Sequence, residues 1–140
     1  MFPASLAAGL RARIAWEEGD NATALQALEA DRLELWFQQA VSSPFFGQVL
    51  ERFMRAELLW SLGRRVEAAA WYRSLVQRSP FELPFSPMVE ARLHALALDD
   101  GDAAAARIHE TRVRAMLADA DARLLDAMAK YAPTLFAGGR

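Results

Sequence analysis

The chain has 140 residues, 54% of them hydrophobic, a formal net charge of -2 and no cysteine. By length it reads as one domain with enough apolar side chains for a core of its own, and the missing cysteine excludes disulfides, thiolate zinc sites and cysteine nucleophiles together. A slightly acidic chain also lacks the positive excess on which nucleic-acid and anionic-membrane surfaces depend, so neither is expected as the main partner.

No apolar run approaches the roughly 20 residues that span a bilayer. The opening Met1-Phe2-Pro3-Ala4-Ser5 has no basic start of the signal-peptide kind, so a cytoplasmic location is the expectation. Lys130 is the only lysine among the basic residues, which reads as genome composition before function.

Taken in order, Ser5 is read as the N-cap of a first helix reaching residue 18, with Leu6, Leu10, Ile14 and Ala15 near helical spacing and Gly19-Asp20 as its stop. Asn21 is read as the cap of a second, unusually long helix from 22 to about 40, ending in Leu35-Trp36-Phe37 before Ser42-Ser43-Pro44. The third carries Val49, Leu50, Phe53, Ala56 and Trp60 on one arc and stops at Gly63, a residue that tolerates positive φ. The fourth starts near Val66, with Val66, Ala69, Ala70, Leu75 and Val76 on its apolar side, and stops before Ser79-Pro80. Residues 81–87 read as an extended, proline-braced insertion whose Phe81 and Phe85 fold back on the helices. A fifth helix spans about 88–98. Asp102 caps the sixth, 103–117, whose four opening alanines allow close approach to a partner helix. Asp121 caps a seventh to about 132, ended by Pro133 and placed to cover the last apolar face, with a frayed tail over 134–140.

These elements contain an internal repeat. Ser43-Pro44-Phe45 recurs as Ser79-Pro80-Phe81, and Gly19, Gly63 and Gly101 each close one helix ahead of an alanine-bearing one. In the middle copy, Ala56, Gly63, Ala68, Tyr72 and Pro80 follow the order small, Gly, Ala, aromatic, Pro. That order resembles the tetratricopeptide (TPR) repeat, in which small side chains let two helix backbones approach and an aromatic fills the space beside them. The resemblance implies three units, roughly 5–44, 45–80 and 87–117, inside a single domain covering 1–140. It puts the small residue of the first helix at Ala12, Ala56 and His94 and the alanine of the second at Ala24, Ala68 and Ala106. The large apolar residue usual near the start of the first helix is replaced by Ala8, Arg52 and Glu90. Both glycine intervals exceed the 34 residues of a typical unit, so the copies carry insertions. A narrower resemblance over 43–131 is to the C-terminal TPR arrays of bacterial signalling proteins that follow a serine/threonine kinase or DNA-binding regulator domain. No kinase motif occurs in this chain.

The fold expected is therefore all-α, a TPR-like right-handed helical-hairpin solenoid of about seven helices. In such folds the first helices line a concave groove, which the resemblance maps onto Arg13, Trp16 and Glu17, then Phe53, Glu57 and Trp60, then Ala91, Ala95 and Leu98. Arg13, Trp16, Phe53, Glu57 and Trp60 are the candidate partner-binding residues. Trp16 and Trp60 are equivalent and could form an aromatic platform for a peptide; the alternative is packing between units. Glu57 falls within an apolar arc, so either that arc is an open groove or Glu57 meets an arginine such as Arg13 or Arg92.

His94 and His109 lack a metal-ligand spacing, and the acidic turns at 17–20 and 99–102 lack the alternating ligands of a calcium loop, so no cofactor or metal is expected. Arg64-Arg65 and Arg112 with Arg114 read as solvated basic faces. No catalytic or nucleotide-binding signature is present, and an enzyme is not expected. The function expected is protein–protein interaction, with a peptide or helix in the groove. Self-association, or packing on a further domain through Phe45, Phe46, Phe81 and Phe85 or the open N-terminal face, is the alternative.

Overall fold

The computed structural model describes residues 2–30, 43–44, 47–76 and 79–136. Among them every regular element is helical. Among the described residues there are eight α-helices: α1 (Phe2–Glu17), α2 (Asn21–Glu29), α3 (Val49–Ser61), α4 (Arg65–Ser74), α5 (Ser86–Asp99), α6 (Ala103–Met116), α7 (Ala122–Met128) and α8 (Pro133–Phe136). A 3-10 helix covers Pro80–Phe85. No helix among the described residues is long and apolar enough to cross a membrane. The chain divides into two compact units, Met1–Phe81 and Glu82–Arg140.

One turn is made three times. The amide of Gly19 donates to the carbonyl of Trp16 (3.1 Å) and that of Asp20 to Ala15 (2.9 Å). Gly63 and Arg64 do the same with Trp60 and Leu59, and Gly101 and Asp102 with Leu98 and Ala97. This crossed pair satisfies the last carbonyls of the first helix and needs a left-handed residue at its centre. The three glycines have φ of +83°, +75° and +75°, and a Cβ on any of them would meet nothing within 4 Å, so backbone conformation and not crowding demands glycine. The residue after each glycine then becomes the N-cap of the next helix. That is why Asp20, and not Asn21 as expected, caps α2: its carboxylate accepts from the Thr23 amide at 3.0 Å. This bond holds the Asp20 carboxyl below its ordinary range. Asp102 and Asp121 cap α6 and α7 in the same manner, as expected.

In the first unit, α1 packs on α2, α3 on α4, and α2 against α3. Ala12, Ala24, Ala56 and Ala68 are fully buried, with Leu25, Leu28, Met54, Leu58, Leu59, Tyr72 and Leu75 around them. A Cβ on Gly9 would come within 2.9 Å of the Glu51 carboxylate, so the Glu51 side chain reaches the α1 backbone there. The first helix begins at Phe2 and runs through Ser5, which is buried and accepts from Gln48 at 2.9 Å instead of capping. Pro3 sits in the first turn, where no intrahelical N–H is needed. The extra length expected of the second helix falls at 31–40, outside the described residues.

Two helix faces differ from expectation. Val66 and Ala70 are exposed, and α4 buries Ala68, Ala69 and Tyr72. Val66 is two residues from Ala68, about 200° around the helix, so both cannot face α3. Of the four alanines opening α6, only Ala106 is buried.

In the second unit α5 packs on α6 and α7 on α8. His94, at the position of Ala12 and Ala56, is accommodated because its Nδ1 donates to the Ala106 carbonyl at 2.9 Å. Arg92 donates to the carbonyls of Lys130 and Tyr131, each at 3.4 Å, and lies against the Tyr131 ring, which ties the end of α7 to α5. The seventh helix stops at Met128, and Pro133–Phe136 form a separate short turn. The insertion at 80–85 is a compact 3-10 helix and not extended chain.

Candidate partner-binding site

Ala8, Arg52 and Glu90 stand at equivalent distances before Gly19, Gly63 and Gly101, and two of the three are charged. Arg52, on α3, donates to the Ser74 carbonyl at 2.7 Å and the Gly47 carbonyl at 2.9 Å, placing a cation at the negative end of α4. Glu90, on α5, is buried. It accepts from His109 Nδ1 at 2.6 Å and from Arg112 at 3.3 Å, both on α6. In each case a charge on the first helix of a hairpin anchors the second.

Of the five candidate site residues, Phe53 and Glu57 lie in the core, 4% and 7% exposed. The partner seen for Glu57 is Tyr72, whose hydroxyl donates to Oε1 at 2.5 Å across the α3–α4 hairpin. The same Tyr72 ring meets Trp60 edge-on, with centroids 6.4 Å apart and planes at 67°. Trp60 is half-buried, and the Arg65 guanidinium covers its ring at 3.5 Å. Glu57, Tyr72, Trp60 and Arg65 thus form a continuous path from core to surface, all within the middle hairpin.

Trp16, also half-buried, has Arg13 over its ring at 5.7 Å, and Arg13 is paired with Glu17 at 2.7 Å on the surface of α1. So the two tryptophans, equivalent in sequence, each stand half-buried near the end of a first helix with an arginine over the ring. Arrangements of this kind contribute roughly 0.5–1 kcal/mol at exposed sites. The third equivalent, Leu98, is exposed.

The arginine over Trp60 was missed by helical periodicity because the two residues sit on different helices. The turn chemistry offers a signal for it: a glycine turn of this type returns the chain so that the first residue of the next helix stands beside the last aromatic of the previous one. A second stacking pair, Arg55 over Trp71 at 4.4 Å, joins α3 to α4, and Arg55 also donates to the Leu28 carbonyl of α2.

Elsewhere, a pocket of about 540 Å3 opens between the end of α6 and the α7–α8 pair, with Val113, Leu117, Leu125, Leu135 and Phe136 among its walls. None of the five candidate residues lines it. Among the described residues no group of three or more His, Asp or Glu side chains could hold a metal ion. Comparison with protein-family models, characterised proteins and solved structures finds no match to this chain.

Proposed function

We propose that the chain is a TPR-like right-handed solenoid of helical hairpins and acts as a protein–protein interaction module, docking a peptide or helix in a concave groove. Support for the solenoid comes from the threefold turn with its identical backbone bonds and from the burial of Ala12, Ala24, Ala56, Ala68 and Ala106 at matched places. The observation that carries the binding reading is the pair Trp16 and Trp60, half-buried at equivalent positions where the third copy manages with Leu98. The turn does not require an aromatic there. Large amphipathic rings held by a neighbour lose little entropy on binding, which is why they dominate contact energies. In this reading Trp16, Trp60 and Arg13 touch the partner, while Phe53 and Glu57 hold the platform from below. The resemblance to bacterial signalling arrays makes a segment of a signalling protein the partner to look for.

Selection of binders from a random peptide display library tests the proposal. Enriched peptides are expected to lose at least about tenfold in affinity against Trp16→Ala, since an aromatic anchor typically carries 1.4 kcal/mol or more. The same is expected for Trp60→Ala, with helicity by circular dichroism close to the parent in both. Peptides whose binding ignores both substitutions would refute the groove.

A second reading is favoured by α1, whose Leu6, Leu10 and Ile14 form an exposed stripe at i, i+4 and i+8. This would be a self-association face or the seat of a further domain. Sedimentation velocity separates the readings: a monomer across concentration removes self-association.

A further inference from the structure

The three turns supply an internal control. Their backbone hydrogen bonds are the same, so whatever differs among their side chains is not demanded by the turn. The first carries Glu18, Asp20, Asn21 and Ala22 around its glycine, and the third carries Asp100, Asp102, Ala103 and Ala104. At the same four places the middle turn carries Leu62, Arg64, Arg65 and Val66. Acidic and small residues are replaced throughout by basic and apolar ones.

The replacement is unfavourable locally. The aspartate cap is lost, since the side chain of Arg64 makes no cap bond to α4. Two cations stand at the positive end of a helix. Leu62 is 43% and Val66 85% exposed, which puts apolar surface in water without return. Arg64 is neutralised by Glu67 at 2.6 Å and faces Glu29 at 3.8 Å; its hydrogen bond holds the Glu67 carboxyl below the usual range. Arg65 forms no ion pair among the described residues; its guanidinium lies 3.5 Å from the Trp60 ring centroid, and Leu62 and Val66 flank it in sequence.

We propose that the middle turn, through Leu62, Arg65 and Val66, is a docking surface for an acidic segment of another protein in which carboxylates alternate with apolar side chains. A guanidinium stacked on an aromatic ring is already ordered, so a carboxylate gains its charge-assisted hydrogen bonds with little further loss of side-chain freedom. Val66 and Leu62 take the apolar side chains. The acidic turns of a second copy have the right charge, but two small turns meeting fall well short of the roughly 1,200 Å2 of a stable interface, whereas an unstructured segment can wrap. This surface borders the proposed groove at Trp60, which Arg65 covers, and Trp16, the groove's other tryptophan, lies outside it.

The test is fluorescence anisotropy with a labelled synthetic peptide bearing Glu or Asp at two of every three positions and Leu or Phe at the third. One control peptide has Lys for each acid, and another has Ser for each Leu and Phe. Binding by the acidic apolar peptide alone is expected, weakening with added salt, by roughly tenfold or more in Arg65→Glu and by a smaller factor in Val66→Ser. Trp16→Ala is expected to leave it unchanged, so failure of the groove and failure of this surface are distinguishable. Both test residues are exposed, and unfolding curves of the variants confirm that they remain folded. No binding, equal binding of the lysine peptide, unchanged affinity in both variants, or self-association of the parent that is lost in Arg65→Glu would each overturn the proposal.

Discussion

Tyr72→Ala is expected to destabilise the protein by about 3–5 kcal/mol, the range for removing a large aromatic side chain from a closed core. Tyr72 is completely buried, donates its hydroxyl to Glu57 and braces Trp60 edge-on. Truncation therefore removes the packing and also takes a donor from a carboxylate that is itself buried. Tyr72→Phe separates the two effects. It keeps the ring, and its cost is expected to be about 1–3 kcal/mol, the desolvation of a buried acceptor that has lost a hydrogen bond. Urea unfolding measures both. A Tyr72→Ala cost under about 1 kcal/mol would mean that the hairpin is not closed around this ring.

Leucine in place of Ala24, Ala68 or Ala106 is expected to cost about 1–3 kcal/mol or more at each site, because the added side chain has nowhere to go. All three alanines are buried at the same place in successive second helices. Ala70→Leu and Ala104→Leu, at exposed positions of α4 and α6, are expected to stay within about 0.5 kcal/mol of the parent. Thermal unfolding of the five variants checks the pattern. Equal effects at the buried and exposed alanines would show that the matched positions do not bring the helices close.

What could be read from the sequence was whatever backbone geometry demands of a side chain. Gly19, Gly63 and Gly101 announced the turns because only glycine enters left-handed φ at little cost. The matched alanines announced the packing surfaces because small side chains let two helix backbones approach. Where the chemistry permits two outcomes, the sequence was silent. Pro80 and Pro84 fix φ near a value shared by extended chain and 3-10 helix and leave ψ free, so an extended segment was expected where a compact one forms. Apolar type alone placed Val66 inside, although its neighbour Ala68 had the better claim to the core. Glu57 was recognised as a carboxylate in need of a partner, yet the tyrosine that serves it lies fifteen residues on in another helix. The arginine over Trp60 was hidden for the same reason.

Arg52 and Glu90 carry a consequence for how such a chain folds without error. A protein built from near copies runs the risk that the first helix of one copy seats itself on the second helix of another. If α3 were laid on α6, Arg52 would meet Arg112, a cation against a cation. If α5 were laid on α4, Glu90 would point its carboxylate at the carbonyl end of that helix. Each wrong pairing would set like charge against like where the observed one joins opposites, so Arg52 and Glu90 favour the pairing of α3 with α4 and of α5 with α6.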